Sequence, residues 1–103
     1  MSQTFQIVYW RDIPAQIRVR VGRQRINRQL SPRFQEAIDS AAMQADATSS
    51  DDYLAEWRST DWQVFEGDAE SQADALVAQI EAEYTPERLR SLILRKGYES
   101  SAG

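Results

Sequence analysis

The chain of 103 residues contains no cysteine and no histidine, and these absences remove much of the chemistry of enzyme sites. Without cysteine there are no disulfides, thiolate nucleophiles or zinc–sulfur sites, and the composition suits a reducing compartment. Without histidine, the commonest general base and the commonest transition-metal ligand are both missing. Carboxylates, tyrosines, arginines and the single lysine, Lys96, remain. We therefore expect no enzyme activity, no metal centre and no cofactor.

Long apolar segments are also lacking. No run of the sequence approaches the ~20 apolar residues that span a bilayer, and the first residues do not form a signal-peptide pattern. We expect a cytoplasmic protein that does not enter a membrane. The length suits one domain, to which we assign residues 1–97, and we interpret residues 98–103 as a flexible tail.

The charges that are present divide the chain in two. Residues 1–33 contain seven arginines, no lysine and one acid, which gives +6, and residues 34–103 contain fifteen acids and five bases, which gives −10. Arginine is favoured over lysine where a planar group must contact a carboxylate or phosphate in a bidentate manner. The basic first third is therefore the candidate binding region.

The basic region has the composition of strands. Phe5–Trp10 is rich in aromatic and β-branched residues, and Gln16–Val21 alternates between apolar residues and arginine. Because successive strand side chains point to opposite faces, we expect Arg18 and Arg20 to face solvent. Residues 23–30 alternate only weakly, and either return as a third strand or form an irregular arm.

The acidic region has the signals of helices. A serine followed by a proline at Ser31-Pro32 predicts a helix start, and Thr85-Pro86 repeats this signal. The other predicted elements are a short helix at Asp51–Arg58 capped by Ser50, a strand at Asp61–Gly67, a long helix capped by Asp68, and a last helix ended by Gly97.

This order of elements is typical of an α+β domain. We expect a small antiparallel sheet of three to four strands with the helices packed mainly on one face. The second face of the sheet is expected to be partly open, with Trp10 and Phe65 as the candidates to lie on it.

Three segments of the chain resemble a known family. Ile7–Gln16 (IVYWRDIPAQ), Leu30–Asp39 (LSPRFQEAID) and Tyr53–Trp57 (YLAEW) are similar to the small bacterial virulence factor domain, which also occurs with HEAT repeats in conserved virulence factor C. The resemblance covers roughly Phe5–Tyr84. It carries over no catalytic residues, because the family name describes a phenotype. Relatives encoded near corrinoid- and folate-linked methyl-transfer proteins imply an accessory role in one-carbon metabolism.

A non-enzymatic protein-interaction module is the function that this composition favours. Surface ion pairs contribute only about 0–1 kcal/mol each, so stability is a poor reason for seven arginines. An acidic protein partner fits the charge, and the two opposite polarities permit a homodimer. The competing interpretation is that the arginines pair with acids of the same chain or stay solvated. The predicted partner-binding residues are Arg18, Arg20, Arg23, Arg25, Tyr9, Trp10 and Arg11.

Two other functions are kept as alternatives. The first is an accessory subunit of a metabolic enzyme complex that lends Arg11 or the arginine hairpin to an anionic ligand. The second is RNA or single-stranded DNA binding through phosphate contacts and base stacking. Nucleic-acid binding is less favoured because the sequence pI is ≈ 4.8, whereas nucleic-acid modules carry a positive field.

The remaining motifs have simple structural interpretations. Asp12 is expected to accept backbone N–H groups in a turn where Trp10 packs on the last helix, in preference to forming a ligand-facing corner with Arg11. The three tryptophans, Trp10, Trp57 and Trp62, are expected to be mostly core. If two of them shared an exposed sheet face with the arginines, the patch would resemble an interface hot spot.

Overall fold

The computed structural model describes residues 3–47 and 49–99 and confirms an α+β fold with an antiparallel sheet. The strands and helices come in the order that the sequence predicts, with one additional short strand. The elements are β1 (Gln3–Trp10), β2 (Ile13–Val21), β3 (Gln24–Gln29), α1 (Pro32–Gln44), α2 (Ser50–Ala55), β4 (Trp57–Ser59), β5 (Gln63–Val64), α3 (Ala69–Glu83) and α4 (Pro86–Leu94).

The sheet is built on β1 and β2 and has the order β3-β2-β1-β4, with β5 also pairing with β1. Every pairing is antiparallel. A tight turn at Gly22 and Arg23 joins β2 to β3, and Gly22 has the positive φ of 59° that such a turn requires. Residues 24–29 therefore form a true third strand rather than an irregular arm.

Two predicted elements are corrected in the middle of the chain. The short helix ends at Ala55 instead of Arg58, because Trp57–Ser59 pairs with β1 as strand β4. Its N-cap is Ser49 rather than Ser50, since the Ser49 hydroxyl accepts the Asp52 N–H at 3.2 Å. Leu54 of this helix is exposed.

The strand predicted at Asp61–Gly67 is also shorter than expected. Only Gln63 and Val64 pair with β1, and Val64 is 77% exposed. Phe65 follows the paired residues and packs on Phe5, with the ring centroids 6.1 Å apart.

The helices cover one face of the sheet. Helices α1 and α3 pack against β2, α3 also packs against β3, and α4 packs against α1. Three of the five buried residues of α1 are alanines. The buried residues of this layer are Ile17, Val19, Ile26, Phe34, Ala37, Ile38, Ala41, Ala42, Ala73, Ile80, Leu89 and Leu92.

The second face of the sheet is exposed along β2 and β3, whereas Gln6 and Val8 of β1 on the same face are buried. Arg18 lies opposite Gln6 on β1, and Arg20 lies opposite Arg25 on β3. Residues directly opposite each other in an antiparallel sheet share a face, so these side chains stand on the face away from the core. No helix within residues 3–47 and 49–99 is long and apolar enough to cross a membrane.

The prediction that Trp10 and Phe65 lie on the open face is wrong. Trp10 is completely buried at the end of β1, where its ring stacks on Tyr53 and its indole N–H donates to the Tyr53 carbonyl at 2.9 Å. Phe65 contacts Phe5, which lies opposite buried Val19 and therefore on the helix-covered face. Helix α2 covers Trp10 through Tyr53, and the pattern of the strand alone does not indicate this contact.

Candidate partner-binding surface

Four arginines of the first hairpin form the candidate site, and we name them the free arginine group: Arg18, Arg20, Arg23 and Arg25. All four are exposed, and within residues 3–47 and 49–99 none of them forms a salt bridge. Arg20 and Arg25 are direct cross-strand neighbours, an arrangement that is destabilising for like charges. The structure thus gathers positive charge without neutralising it.

A cavity of about 310 Å³ lies within this group. Arg18, Arg20 and Arg25 line it together with Asn27 and Trp62. Trp62 is 37% exposed, and the Arg20 guanidinium carbon lies 4.4 Å from the centre of its ring. The cavity therefore offers guanidinium donors, an amide and an aromatic surface in one place.

A second cavity of about 300 Å³ adjoins the first through Arg18, which lines both. Trp57, Val8 and Gln16 contribute to its wall. Two tryptophans, Trp57 and Trp62, therefore accompany the arginines on the open side of the sheet, while Trp10 does not.

Arg18 is oriented by a buried glutamine that the sequence analysis did not single out. Gln6 is 7% exposed, and its amide donates to the Thr60 carbonyl at 3.0 Å. Its carbonyl oxygen accepts from Arg18 Nη1 at 3.3 Å. A polar residue in the middle of an otherwise apolar strand was the available signal. Thr60 could not be foreseen, because it reaches β1 through the unpredicted strand β4.

The other three arginines of the basic region are held by the chain itself, and we name them the clasped arginine group: Arg11, Arg28 and Arg33. Arg28 is the most exposed case, with its guanidinium 3.1 Å from Glu70 and 3.4 Å from Asp74 on α3. The hydrogen bonds that Arg28 donates to these two carboxylates raise its pKa. For this group, the competing interpretation of the sequence was right.

Arg33 belongs to a tighter arrangement at the start of α1. Its guanidinium donates to the Tyr84 and Glu81 carbonyls and lies 3.0 Å from a Glu81 carboxylate oxygen. The Glu81 carboxylate also accepts the Ser31 N–H at 2.7 Å and the Ser31 hydroxyl at 2.8 Å. Burial alone raises the pKa of Glu81, but the donors of Ser31 and Arg33 outweigh it and lower this pKa.

Arg11 joins the two ends of the chain. It has a left-handed φ of 52°, and its guanidinium donates to the Lys96 carbonyl at 2.7 Å and lies 3.2 Å from Glu56. The same guanidinium lies between the rings of Trp10 and Tyr98, 5.0 and 4.7 Å from their centres. Contacts within the chain therefore hold this side chain in a structural role, and it does not form an open ligand site.

The neighbouring Asp12 has the structural role expected for a turn. Its carboxylate accepts the Glu99 N–H at 2.7 Å and lies 3.1 Å from Arg58. Glu99 also pairs with Arg88 at 2.8 Å, so the first two residues of the predicted tail contact the domain. The rest of that tail, residues 100–103, lies outside the described residues.

Tyr9 lies in a different cavity from the free arginine group. It lines a space of about 260 Å³ with Tyr84 and Arg88, and its ring is covered by Arg58 at 4.6 Å. Burial, together with the neighbouring Tyr9, raises the pKa of Tyr84 to about 12. Of the seven predicted partner-binding residues, Arg18, Arg20 and Arg25 line one cavity and Arg23 lies in the adjoining turn, whereas Tyr9, Trp10 and Arg11 lie elsewhere.

The fold and the site define a small α+β domain whose antiparallel sheet has one helix-covered face and one open, arginine-bearing face. The profile of a protein family described as Virulence factor matches residues 8–93, and the chain belongs to this family. The comparison with curated proteins and the comparison with solved structures each gave no significant match. The resemblance that the sequence motifs indicated is therefore confirmed.

Proposed function

We propose that this domain is a protein-interaction module that binds an acidic segment of a partner through the open face of its sheet. The observation that supports this most is the division of the early arginines. Arg11, Arg28 and Arg33 have carboxylate partners, whereas the free arginine group has none within the described residues. If the arginines served only to balance the charge of the acidic helices, a carboxylate partner would be expected at each of these positions.

The electrostatic repulsion within the free arginine group supports the same proposal. Arg20 and Arg25 stand opposite each other on neighbouring strands, where opposite charges would be favourable and like charges are not. An incoming carboxylate would relieve this repulsion and accept bidentate hydrogen bonds from a guanidinium. We infer that the repulsion is retained because it is relieved on binding.

The composition of the surface is that of an interface. Tryptophan and arginine are the residues most enriched among interface hot spots. Trp62 lies beside Arg20, and Trp57 lines the cavity next to Arg18. Their apolar rings would exclude water from the ion pairs, which strengthens each pair.

The acidic character of the rest of the chain orients the encounter. The chain has a net charge of −4, so an acidic partner is repelled by the molecule as a whole and attracted locally by the open face. The same polarity permits two copies of the chain to associate head to tail. The accessory-subunit hypothesis is compatible with the proposal, because an acidic enzyme surface is then the partner.

Nucleic-acid binding is the second candidate, favoured by the pairing of Trp62 with Arg20 on an open sheet. Proteins that bind single strands combine an aromatic stacking surface with a positive groove. The sequence pI of ≈ 4.8 argues against it.

A direct test compares binding of a short, fluorescein-labelled Glu-rich peptide by anisotropy. The variant is Arg18→Glu/Arg20→Glu, and the matched control is Arg90→Glu/Lys96→Glu, which makes the same change in net charge at exposed residues of α4 and the turn after it. We expect the first variant to lose about tenfold or more in affinity and the control to lose little. Circular dichroism of both variants checks that they fold.

Three results would contradict the proposal. These are equal losses in the two variants, no peptide binding by the wild type at low salt, and tighter binding of an oligouridine than of the peptide. Light scattering at low and high salt completes the test, because a dimer that dissociates with salt identifies a second copy as the occupant.

A further inference from the structure

The free edge of the sheet runs beside the free arginine group. Strand β3 is the last strand in the order β3-β2-β1-β4, so one of its sides has no neighbouring strand within the described residues. Arg25, Asn27 and Gln29 are all exposed, and Ile26 between them is buried. Unprotected edges of this kind are sites where a further strand can pair.

The turn geometry fixes which backbone groups point outward. Gln24 pairs with Val21 across the tight turn, so the bond that closes the turn joins these two residues. Hydrogen-bonded pairs alternate with non-bonded pairs along an antiparallel ladder. Ile26 and Arg28 therefore bond to β2. The N–H and C=O groups of the remaining β3 residues, Arg25, Asn27 and Gln29, point away from the sheet.

These outward-pointing residues also carry the side chains of the open face. Arg25 lies opposite Arg20, and Asn27 lies opposite Arg18, so the residues form two rows across the sheet. The first row is Arg25 and Arg20, and the second is Asn27 and Arg18. Both rows line the cavity of about 310 Å³.

We propose that the acidic partner binds as an additional β-strand along the outer edge of β3, with acidic side chains at every second position facing the two arginine rows. This inference rests on the proposed function and specifies how the partner segment lies. A strand beside β3 would place residues i and i+2 on the open face, one beside each row, because strand side chains alternate. The main chain would supply affinity and the alternating acids specificity, as in other strand-addition complexes.

The charge of the edge argues against a second copy of the chain as the occupant. Two β3 strands pairing edge to edge would bring Arg23, Arg25 and their copies together without an acid between them. Charged residues on edge strands are a known device against such self-pairing. An acidic segment is attracted by the charges that repel another β3.

The test uses the full chain and two forms of one peptide that alternates glutamate with valine. The second form carries N-methyl groups on the backbone amides that would face β3, which removes hydrogen bonds but no charge. We expect the N-methylated form to bind at least about tenfold more weakly, since main-chain bonds are lost. We also expect amide exchange of Arg25, Asn27 and Gln29 to slow by about tenfold or more on binding of the unmodified peptide.

A protein variant provides a second measurement. Asn27→Pro removes one outward N–H without changing charge, and proline is tolerated on an edge strand where the N–H faces solvent. We expect this variant to bind the unmodified peptide more weakly and to change the affinity for the N-methylated peptide little. The peptide comparison with wild-type protein stands even where this variant fails to fold.

The outcomes separate the two proposals. If Arg18→Glu/Arg20→Glu abolishes binding but N-methylation and the amide exchange show no effect, acidic docking stands and strand addition is overturned. If no acidic peptide binds, both proposals fall. Oligouridine that binds more tightly than the peptide and leaves the exchange of the three amides unchanged overturns both proposals, because a nucleic-acid backbone cannot pair with a strand edge.

Discussion

The two arginine groups differ in what their neighbours provide, although they come from the same third of the chain. Arg33 contacts the half-buried carboxylate of Glu81 and two carbonyls at the junction of α1 and α3, and it stabilises that junction. Arg20 contacts the ring of Trp62 and lies opposite Arg25 of the neighbouring strand. The comparison teaches that arginine content alone does not define a surface, because the strand face on which each side chain lies decides its role.

Strand β3 shows this most directly. Arg25 and Arg28 are three residues apart and therefore lie on opposite faces of one strand. Arg28 faces α3 and is neutralised by Glu70 and Asp74. Arg25 faces solvent beside Arg20. One strand thus contributes a structural charge to one face and an available charge to the other.

The largest expected effect compares two tryptophans, one buried and one on the open face. Trp10→Ala should lower the free energy of unfolding by about 3–5 kcal/mol, because it leaves a large cavity beneath Gly97. Trp62→Ala should change it by only about 0.5 kcal/mol. Urea unfolding followed by far-ultraviolet circular dichroism measures both. Similar losses at the two positions would contradict the burial pattern.

The next effect compares one arginine from each group, with charge removed but length kept. Arg33→Met should cost about 1–3 kcal/mol, because it leaves the Tyr84 and Glu81 carbonyls without their donor. Arg25→Met should be neutral or slightly stabilising, because it removes the repulsion with Arg20. Thermal and urea unfolding of the two variants test this. An equal loss of unfolding free energy in the two variants would contradict the distinction between the two arginine groups.

A smaller effect concerns pH and the carboxylate that holds Arg33. The folded-state pKa of Glu81 is lowered, so its charged form stabilises the fold fully above its ordinary pKa of about 4.3. That contribution is lost as the pH falls through the lower, folded-state pKa. Glu81→Gln should therefore be less stable at neutral pH, and the difference should shrink in acid. Unfolding measured across this range checks the sign, and a constant difference would refute the assignment.

The smallest effect is expected for Arg28, the member of the clasped arginine group whose carboxylate partners are exposed. Arg28→Gln should leave the unfolding midpoint at physiological salt unchanged within error, because Glu70 and Asp74 are both well exposed. A slight loss should appear only at low salt. A loss as large as that of Arg33→Met would show that solvent exposure does not separate the two ion pairs.

The elements that local chemistry specifies could be predicted from the sequence. Ser31-Pro32 and Thr85-Pro86 start helices where expected, and the outward orientation of Arg18 and Arg20 follows from alternation along one strand. Gly97 ends the last helix region with φ 95°, and a β-carbon there would lie 3.0 Å from the Trp10 ring. Glycine at this position is therefore required by both backbone and packing.

The elements that depend on distant partners could not be predicted. Trp57–Ser59 continues a helical pattern but pairs with β1, and Trp10 has the sequence context of a surface strand but is covered by α2. Arg28 and Arg33 are separated from their acids by more than 40 residues, so no local pattern indicates their pairing. The exposure of Arg18 and Arg20 could be predicted from alternation along β2, whereas the positions of Asn27, Trp62 and Gln6 beside them depend on contacts between distant segments.

The most direct measurement of the difference between the two arginine groups is a nuclear magnetic resonance titration of the ¹⁵N-labelled protein with the alternating acidic peptide. Each arginine Nε–Hε group reports on its own surroundings, as does the indole N–H of Trp62. We predict that shifts are confined to Arg18, Arg20, Arg25 and Trp62, while the signals of Arg28 and Arg33 stay in place. Shifts centred on the clasped arginine group or on the helix-covered face would contradict this account.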